Sequence, residues 1–360
     1  MRVALLLPEL VGGGAERVLL EVAHGLLEHE IDVDIILVRS GGALRDSVPN
    51  GARVIDLNVK RTLFAGRRLR RYLARERPTV VISALTPTNV ANVVVTRLVR
   101  PRIPTIVTQH NMSAAHATTR ADRLGLLAAR WSFSYADRVV AVSEGVAADL
   151  VDTVGMDAAK ISVIHNPVIS SRLFTDAKAA QEHPWLAHKV GRVLLAVGRL
   201  TAQKDFATLL RAVALLPSDH RLVVLGEGEL RDELVELAEH LGIRERVDLP
   251  GFAANPFPSF ASADVIVLSS RFEGLPTVLI EALPFTCGIV STDCPSGPRE
   301  ILDEGRWGRL VPCGEPAALA GAINAEISSH RARPHDAWMR YEVTYAVERY
   351  IALIAALTNA

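Results

Sequence analysis

Residues 192–216 read RVLLAVGRLTAQKDFATLLRAVALL. An apolar run, Arg192–Val197, stops at Gly198, and helical spacing begins at Asp205 and continues to Leu216. A short run with no polar face belongs in a sheet covered on both sides. A helix following it directly is the crossover of a parallel βαβ unit. The alternation extends outward in both directions. Upstream, strands are predicted at Arg2–Leu7, Asp32–Val38, Thr79–Ser83, Thr105–Gln109 and Arg138–Val142, with a helix over Glu16–His29 that sets Val18, Leu19, Val22 and Leu26 on one face. Downstream, strands follow at Arg221–Leu225, Val247–Leu249, Asp264–Ser269 and Ile289–Thr292, with helices over Glu229–His240 and Thr277–Leu283. This pattern predicts a doubly wound α/β architecture.

The 360 residues suffice for two domains, and 49% hydrophobic against 22% charged residues excludes a disordered or low-complexity chain. Forty Lys+Arg balance forty Asp+Glu, so no overall field points to nucleic acid as a partner. The halves differ: residues 1–175 carry 22 − 16 = +6 and residues 176–360 carry 18 − 24 = −6. Cys287, Cys294 and Cys313 match no zinc spacing and fit buried thiols in a reducing, cytoplasmic setting. The opening MRVALLLPEL superficially resembles a signal peptide, but Pro8 and Glu9 end its apolar core and a buried first strand fits better. No run approaches the ~20 apolar residues of a membrane span. The alternation stalls after His165-Asn166-Pro167-Val168. The expected division is therefore a first domain over 1–168, a linker over 169–190, a second domain over 191–335 and a final helical segment over 336–360, with Tyr341, Tyr345, Val347 and Ile351 as its apolar positions.

Three segments at strand ends carry polar chemistry. Gly12-Gly13-Gly14-Ala15-Glu16 would let backbone approach a ligand beside free helix amides. It is not a dinucleotide fingerprint, because that spacing requires glycine where Arg17 stands, and the second strand ends in Arg39-Ser40 rather than an acidic ribose ligand. A plain tight turn is the competing reading. Arg199 and Lys204, five residues apart around a helix start, can converge on one diphosphate, the former with a planar fork and the latter as a point charge; solvated surface cations are the alternative. The third segment, Arg271–Glu281 (RFEGLPTVLIE), decides between these readings. Glu273 falls in the loop after a buried strand, Gly274 permits a strained turn, and Glu281 lies about one turn into the next helix. One carboxylate can meet sugar hydroxyls and the other a ribose, while the first helical amides hold phosphate.

Together, Gly-Gly-Ala-Glu at 13–16, Gly198-Arg199-Leu200 with Lys204, Gly226-Glu227-Gly228, Gly251-Phe252 with Asn255-Pro256, and Glu273 to Glu281 resemble retaining glycosyltransferases of family 4, in order and over essentially the whole chain. The resemblance implies a GT-B fold: two Rossmann-like domains facing each other across a cleft, with the C-terminal helix returning to the first. It implies that Arg199 and Lys204 neutralise a donor diphosphate and that Glu281 binds the ribose. Glu273, with the backbone of Gly274 and Leu275, would hold the transferred sugar. The loop at Phe252 would hold the base, Gly198 and Gly226 would line the donor site, and Gly13 and Gly14 would cap the phosphate. His110 matches the family's histidine near the donor sugar, an ordinary loop histidine being the alternative. No cofactor or metal is implied. The one Asp-x-Asp, Asp32-Val33-Asp34, lies inside a predicted strand with its carboxylates expected at the solvent face. Retention implies front-side attack, with Glu273 a positioning group in preference to a nucleophile.

The stretch Ser291–Leu302 resembles a branch that builds lipid-linked or surface glycans, which implies a UDP-hexose or UDP-N-acetylhexosamine donor and a glycan or polyprenyl-diphosphate-linked acceptor. Thr286-Cys287-Gly288 departs from the family's Gly-x-Pro. Lys60–Arg77 carries eight cations against Glu76 alone, with Leu69, Tyr72 and Leu73 on one helical face. Such a helix can lie on anionic lipid, placing the protein peripherally at the cytoplasmic face of the inner membrane; a solvated outer helix is the alternative. A GDP-mannose-dependent mannosyltransferase and a GT-B sugar-nucleotide epimerase remain the competing activities, with a catalytically silent binding protein third.

Overall fold

In the first strand, β1 (Arg2–Leu7), alternate side chains go to opposite faces: Val3, Leu5 and Leu7 join one apolar cluster, Ala4 and Leu6 another. A sheet buried on both sides follows from that composition. The computed structural model describes residues 1–11, 13–110, 120–329 and 331–358, apart from the side chains of 120–126. It divides into two compact units, one of residues 1–168 with 340–360 and one of residues 169–339.

In the first unit β1 is joined by β2 (Asp32–Leu37), β3 (Arg53–Asp56), β4 (Val80–Ala84), β5 (Thr105–Gln109), β6 (Arg138–Ala141) and β7 (Ile161–Val163) in the order β3-β2-β1-β4-β5-β6-β7. Every pairing is parallel; Val3, for example, aligns with Val33 on one side and Val80 on the other. The crossovers include α1 (Gly14–Glu28), α2 (Gly66–Glu76), α3 (Thr86–Arg97), α4 (Arg120–Tyr135) and α5 (Glu144–Asp152). The second unit repeats the plan with β8 (Arg192–Val197), β9 (His220–Leu225), β10 (Val247–Gly251), β11 (Val265–Leu268), β12 (Gly288–Thr292) and β13 (Arg309–Val311), ordered β10-β9-β8-β11-β12-β13. Both sheets reverse direction of winding beside their first strand, the place where open α/β sheets bind ligands beyond their carboxyl ends. No helix among the described residues is long and apolar enough to cross a membrane.

Three expectations need correction. Residues 169–190 form two short helices, α6 (Ser171–Asp176) and α7 (Pro184–Ala187), and belong to the second unit. The His183 ring meets Asp248 at 2.9 Å, and Gln181 Nε2 donates to Ser259 Oγ at 3.2 Å. Asp34 is not at the solvent face: it is 2% exposed, because it shares a strand face with Ile36, which packs under α2 and α3. Arg53 donates to both its oxygens at 2.9 and 2.6 Å, and the Tyr72 hydroxyl of α2 donates to it as well. Burial raises its pKa, but the Arg53 and Tyr72 bonds outweigh that and leave the carboxyl below its usual range. The last helix begins at Val343, later than expected, after a 3-10 turn over Met339–Tyr341, and its buried stripe is Ala346, Val347, Tyr350 and Ile354 while Tyr345 is exposed.

The remaining helices of the second unit are α8 (Phe206–Ala214), α9 (Arg231–His240), α10 (Phe257–Ser262), α11 (Thr277–Ala282), α12 (Pro298–Ile301) and α13 (Pro316–Ser328). The final helix, α14 (Val343–Thr358), joins the first unit's core. There Gly25 of α1 has no Cβ because Val347 occupies that space. Alanine at 25 would gain about 1 kcal/mol of helix propensity yet overpack by about 1–3 kcal/mol. Gly25→Ala is therefore expected to lower the urea midpoint, and adding Val347→Ala to recover part of that loss.

Candidate functional site

The carboxyl ends of β8, β9 and β10 are knitted together by their own backbone. Gly198 N donates to Leu225 O at 3.0 Å, Gly226 N to Gly251 O at 2.8 Å, and Leu200 N to Glu227 O at 2.9 Å. Gly226 holds φ 150°, and a Cβ there would collide with the Gly198 carbonyl. Glycine at 226 thus lets two strand ends close against each other, which puts Arg199 on the rim. Its side chain is exposed and makes no ion pair among the described residues. Phe252, after β10, is largely exposed.

Across the winding reversal, the loops after β8 and β11 meet. Lys204 Nζ donates to Glu273 Oε1 at 2.6 Å, and Ser270 Oγ donates to the same oxygen at 2.6 Å. Both charged side chains are largely buried, Glu273 the more completely. Bonds to backbone carbonyls fix the two loops: Ser269 Oγ donates to Lys204 O at 2.7 Å, Arg271 N to Gln203 O at 2.8 Å, and Gln203 Nε2 to Phe272 O at 3.0 Å. Asp205 follows Lys204 in the left-handed region (φ 46°), caps α8 through Thr208 and accepts from Arg271 Nε at 3.0 Å. An ammonium has three donors, so Lys204 holds Glu273 with one and keeps two for an anion.

The loop after β12 closes the other side of Glu273. Ser296 Oγ donates to Gly274 O at 2.7 Å, Glu273 N to Pro295 O at 3.3 Å, and Gly297 (φ 92°) leaves room for the Pro276 ring. Gly274 and Leu275 are buried beneath it, and Glu281 is half-buried on α11, in the second turn. Cys294 lies close by. Burial, then the Glu273 and Cys313 charges, push its thiol up, so it stays neutral, as does Cys287, raised to about 11 chiefly by burial. Sequence reasoning found Lys204 and Glu273 but not their pairing, and it missed Ser270, Asp205 and Ser296. Only Gly297-Pro298, in a stretch already singled out, signalled a turn there.

In the first unit, Gly13 caps α1 by its backbone, with the Glu16 carboxylate folded over it, and Gly14 begins the helix; Gly12 lies outside the described residues. His110 follows β5. Thr108 Oγ1 donates to Ser83 O at 3.1 Å, so at its 2.8 Å contact with His110 Nε2 it accepts. That fixes the proton on Nε2 and leaves Nδ1 with its lone pair. Thr108 is itself held by Asn89 Nδ2, which donates to its carbonyl at 3.1 Å. Desolvation lowers the His110 pKa to about 4, so the ring is neutral at neutral pH. No group of three or more metal-binding side chains occurs among the described residues.

A family model described as Glycosyltransferase Family 4 matches residues 12–172, and one described as Glycosyl transferases group 1 matches residues 191–328. The chain is 38% identical over 198 residues to the N-acetylgalactosamine-N,N'-diacetylbacillosaminyl-diphospho-undecaprenol 4-alpha-N-acetylgalactosaminyltransferase of Campylobacter jejuni, a match spanning 55% of this chain and 53% of that relative. It is 28% identical, over the full length of both, to a second Campylobacter jejuni protein, the GalNAc-alpha-(1->4)-GalNAc-alpha-(1->3)-diNAcBac-PP-undecaprenol alpha-1,4-N-acetyl-D-galactosaminyltransferase. The crystal structure of Anabaena HepE in complex with UDP superposes with a TM-score of 0.83 at 20% identity, covering 99% of this chain and 100% of that one. That likeness establishes the two Rossmann-like units as the GT-B fold.

Two outcomes follow from the geometry. Removing one partner of a buried pair strands the other charge, so Lys204→Ala is expected to cost about 3 kcal/mol in urea unfolding, and Lys204→Ala with Glu273→Ala less than the sum of the single changes. In 15N-histidine NMR, His110 is expected as the Nε2–H tautomer, kept by Thr108→Ser and lost to a mixture in Thr108→Val. With its pKa at about 4 against the ordinary 6.5, the unfolded chain protonates first as pH falls. The stability of neutral His110 is thus complete above about pH 6.5 and lost towards about pH 4, and His110→Asn is expected to flatten that limb of the pH–stability curve.

Proposed function

The chain belongs to glycosyltransferase family 4, and from that premise we propose a retaining, metal-independent transfer of a hexose or N-acetylhexosamine from a UDP-sugar to a lipid-linked glycan. The observation that carries this reading is the Lys204–Glu273 pair at the carboxyl edge of the second sheet, with Arg199 on the rim of the same edge. Leaving-group departure builds charge on the diphosphate. Arg199 and the two remaining donors of Lys204 supply fixed positive charge there, the work a divalent ion does elsewhere. Glu273, held by Lys204 and Ser270, is oriented to accept bonds from sugar hydroxyls. Gly274 and Leu275 lend backbone, Glu281 takes the ribose hydroxyls, and the Gly226 and Phe252 loops line the base. In the first unit, Gly13 and Gly14 carry amides suited to phosphate, and His110 carries an unprotonated Nδ1 suited to a sugar hydroxyl. The acceptor hydroxyl attacks the anomeric carbon on the face the diphosphate leaves, and the departing phosphate oxygen takes its proton.

The Campylobacter jejuni relatives, both named for N-acetylgalactosamine transfer to undecaprenyl-diphosphate glycans, support the acceptor class and make N-acetylgalactosamine the first sugar to test. HepE, solved with UDP and with UDP-glucose, supports UDP over GDP. A polyprenyl acceptor requires a membrane. Helix α2 buries Leu69, Tyr72 and Leu73, while Lys60, Arg61, Arg67, Arg70 and Arg71 are exposed and make no ion pair among the described residues. Five such cations contribute roughly 1 kcal/mol each near anionic lipid.

UDP without added metal, at about a hundred times its Kd, is expected to stabilise the protein by about 2.7 kcal/mol, read as a rise in Tm of several degrees, and Glu281→Ala to abolish the rise. Absence of a rise with every nucleoside diphosphate defeats the proposal. Mass spectrometry of UDP- and GDP-sugars with diphosphate-linked acceptors then separates transfer from epimerisation, which needs no acceptor.

A further inference from the structure

Helix α2 is not the only part of the first unit whose outer surface lacks a partner. The 3-10 turn Thr62–Phe64, which leads into α2, leaves Leu63 85% and Phe64 65% exposed. That turn packs on α3, and α3 packs in turn on α4, so the three form one layer over the sheet. Val94 of α3 and its C-cap Leu98 are exposed four residues apart, with Arg97 between them. On α4, Leu127, Trp131 and Tyr135 recur at the same interval and are likewise exposed, Trp131 at 42% and Tyr135 at 44%. The two helical stripes meet at Arg97, whose guanidinium lies 4.8 Å over the Tyr135 ring and donates to Tyr135 O at 2.9 Å. The Trp131 and Tyr135 rings are 5.1 Å apart. Seven large apolar side chains therefore face outward from one layer, ringed by the α2 cations, by Arg100 and Arg130, which are exposed, and by the half-buried Arg97.

We infer that this whole layer, and not the basic helix alone, is the face by which the protein lies on an anionic bilayer: Leu63 and Phe64 enter the acyl boundary at one end, and Trp131 and Tyr135 seat at the headgroup level at the other. Charge selects this occupant. A like-charged copy of the same face would be repelled by its own arginines, whereas anionic headgroups neutralise them. The residue types fit too, since tryptophan and tyrosine with flanking arginines are the composition that settles at a lipid–water interface. Two separated apolar anchors also do what a single helix cannot, because they fix the unit's rotation about the membrane normal as well as its attachment. The inference rests on the reading that the acceptor is lipid-linked, but its test needs neither donor nor acceptor.

The full chain is mixed with vesicles of phosphatidylcholine alone or of phosphatidylcholine with phosphatidylglycerol and recovered by flotation. Binding is expected only to the anionic vesicles. Arg67→Ala, Arg70→Ala and Arg71→Ala are each expected to weaken it about fivefold. The decisive variants are Trp131→Ser with Tyr135→Ser, and Leu63→Ser with Phe64→Ser; each pair is expected to lower vesicle affinity at least tenfold with the UDP-induced rise in Tm unchanged. Brominated lipid is expected to quench the wild-type tryptophan emission, and less so in Trp131→Phe, which keeps the packing. Equal binding by the Trp131/Tyr135 pair variant together with no quenching of Trp131 overturns the inference and leaves at most the α2 contact. Concentration-dependent dimers in sedimentation, abolished by the same pair and accompanied by no vesicle binding, overturn it in favour of a second copy. Failure of UDP to stabilise the protein while vesicle binding persists counts against the donor reading and leaves this face standing.

Discussion

The ion pair between Lys204 and Glu273 joins two loops that the sequence separates by a strand, three helices and another two strands, and the candidate site is organised around it. A carboxylate so thoroughly buried is tolerable only with a counter-charge and hydrogen bonds in place, which Lys204 and Ser270 supply. The pair thereby couples the loop after β8 to the loop after β11 across the point where the sheet reverses. Arg271 and Asp205 repeat the linkage on the outer side, and Ser296 extends it to the loop after β12. Remove the charge balance and the three loops lose their common fixed point.

The pairing changes how the two residues are understood. In the proposed reading, taken separately, Lys204 would be a phosphate ligand and Glu273 a sugar ligand. Bonded to each other, they form one unit in which a diphosphate would meet an ammonium already held by the carboxylate. Two of the three ammonium donors would suffice for phosphate without breaking the pair, so on that reading the site is organised before any donor arrives. Preorganised charge of that kind would need little rearrangement as a leaving group departs.

The alternation of apolar runs and amphipathic segments made two doubly wound α/β units legible from the sequence pattern. Arg2–Leu7, Thr105–Gln109 and Arg192–Val197 coincide with their expected limits, and most others fall within a residue or two. Edge strands were less visible, because β3, β7 and β13 are three or four residues long and only partly buried, leaving no continuous apolar run. Asp34 was misplaced for a different reason: alternation predicts which residues share a face but not whether that face meets water or a helix carrying Tyr72. In the site, glycine and charge spacing revealed Gly198, Arg199, Lys204 and Glu273. The support from Ser270, Asp205, Thr108 and Ser296 was hidden, since serines, threonines and aspartates are common in loops and only the folded chain shows what their oxygens reach.

Helix α14 carries a consequence for how the chain acquires its structure. Its Val347, Tyr350 and Ile354 complete a core whose other members come mainly from the first 140 residues, so the chain leaves the first unit after Val168 and comes back at Arg340. On the ribosome the N-terminal sheet must wait, with the flank of α1 uncovered, while everything between is synthesised. The second unit, built from one uninterrupted segment, can mature on its own in the meantime. The order of synthesis and the order of completion are therefore reversed, and the earliest residues made are among the last to be sealed from water.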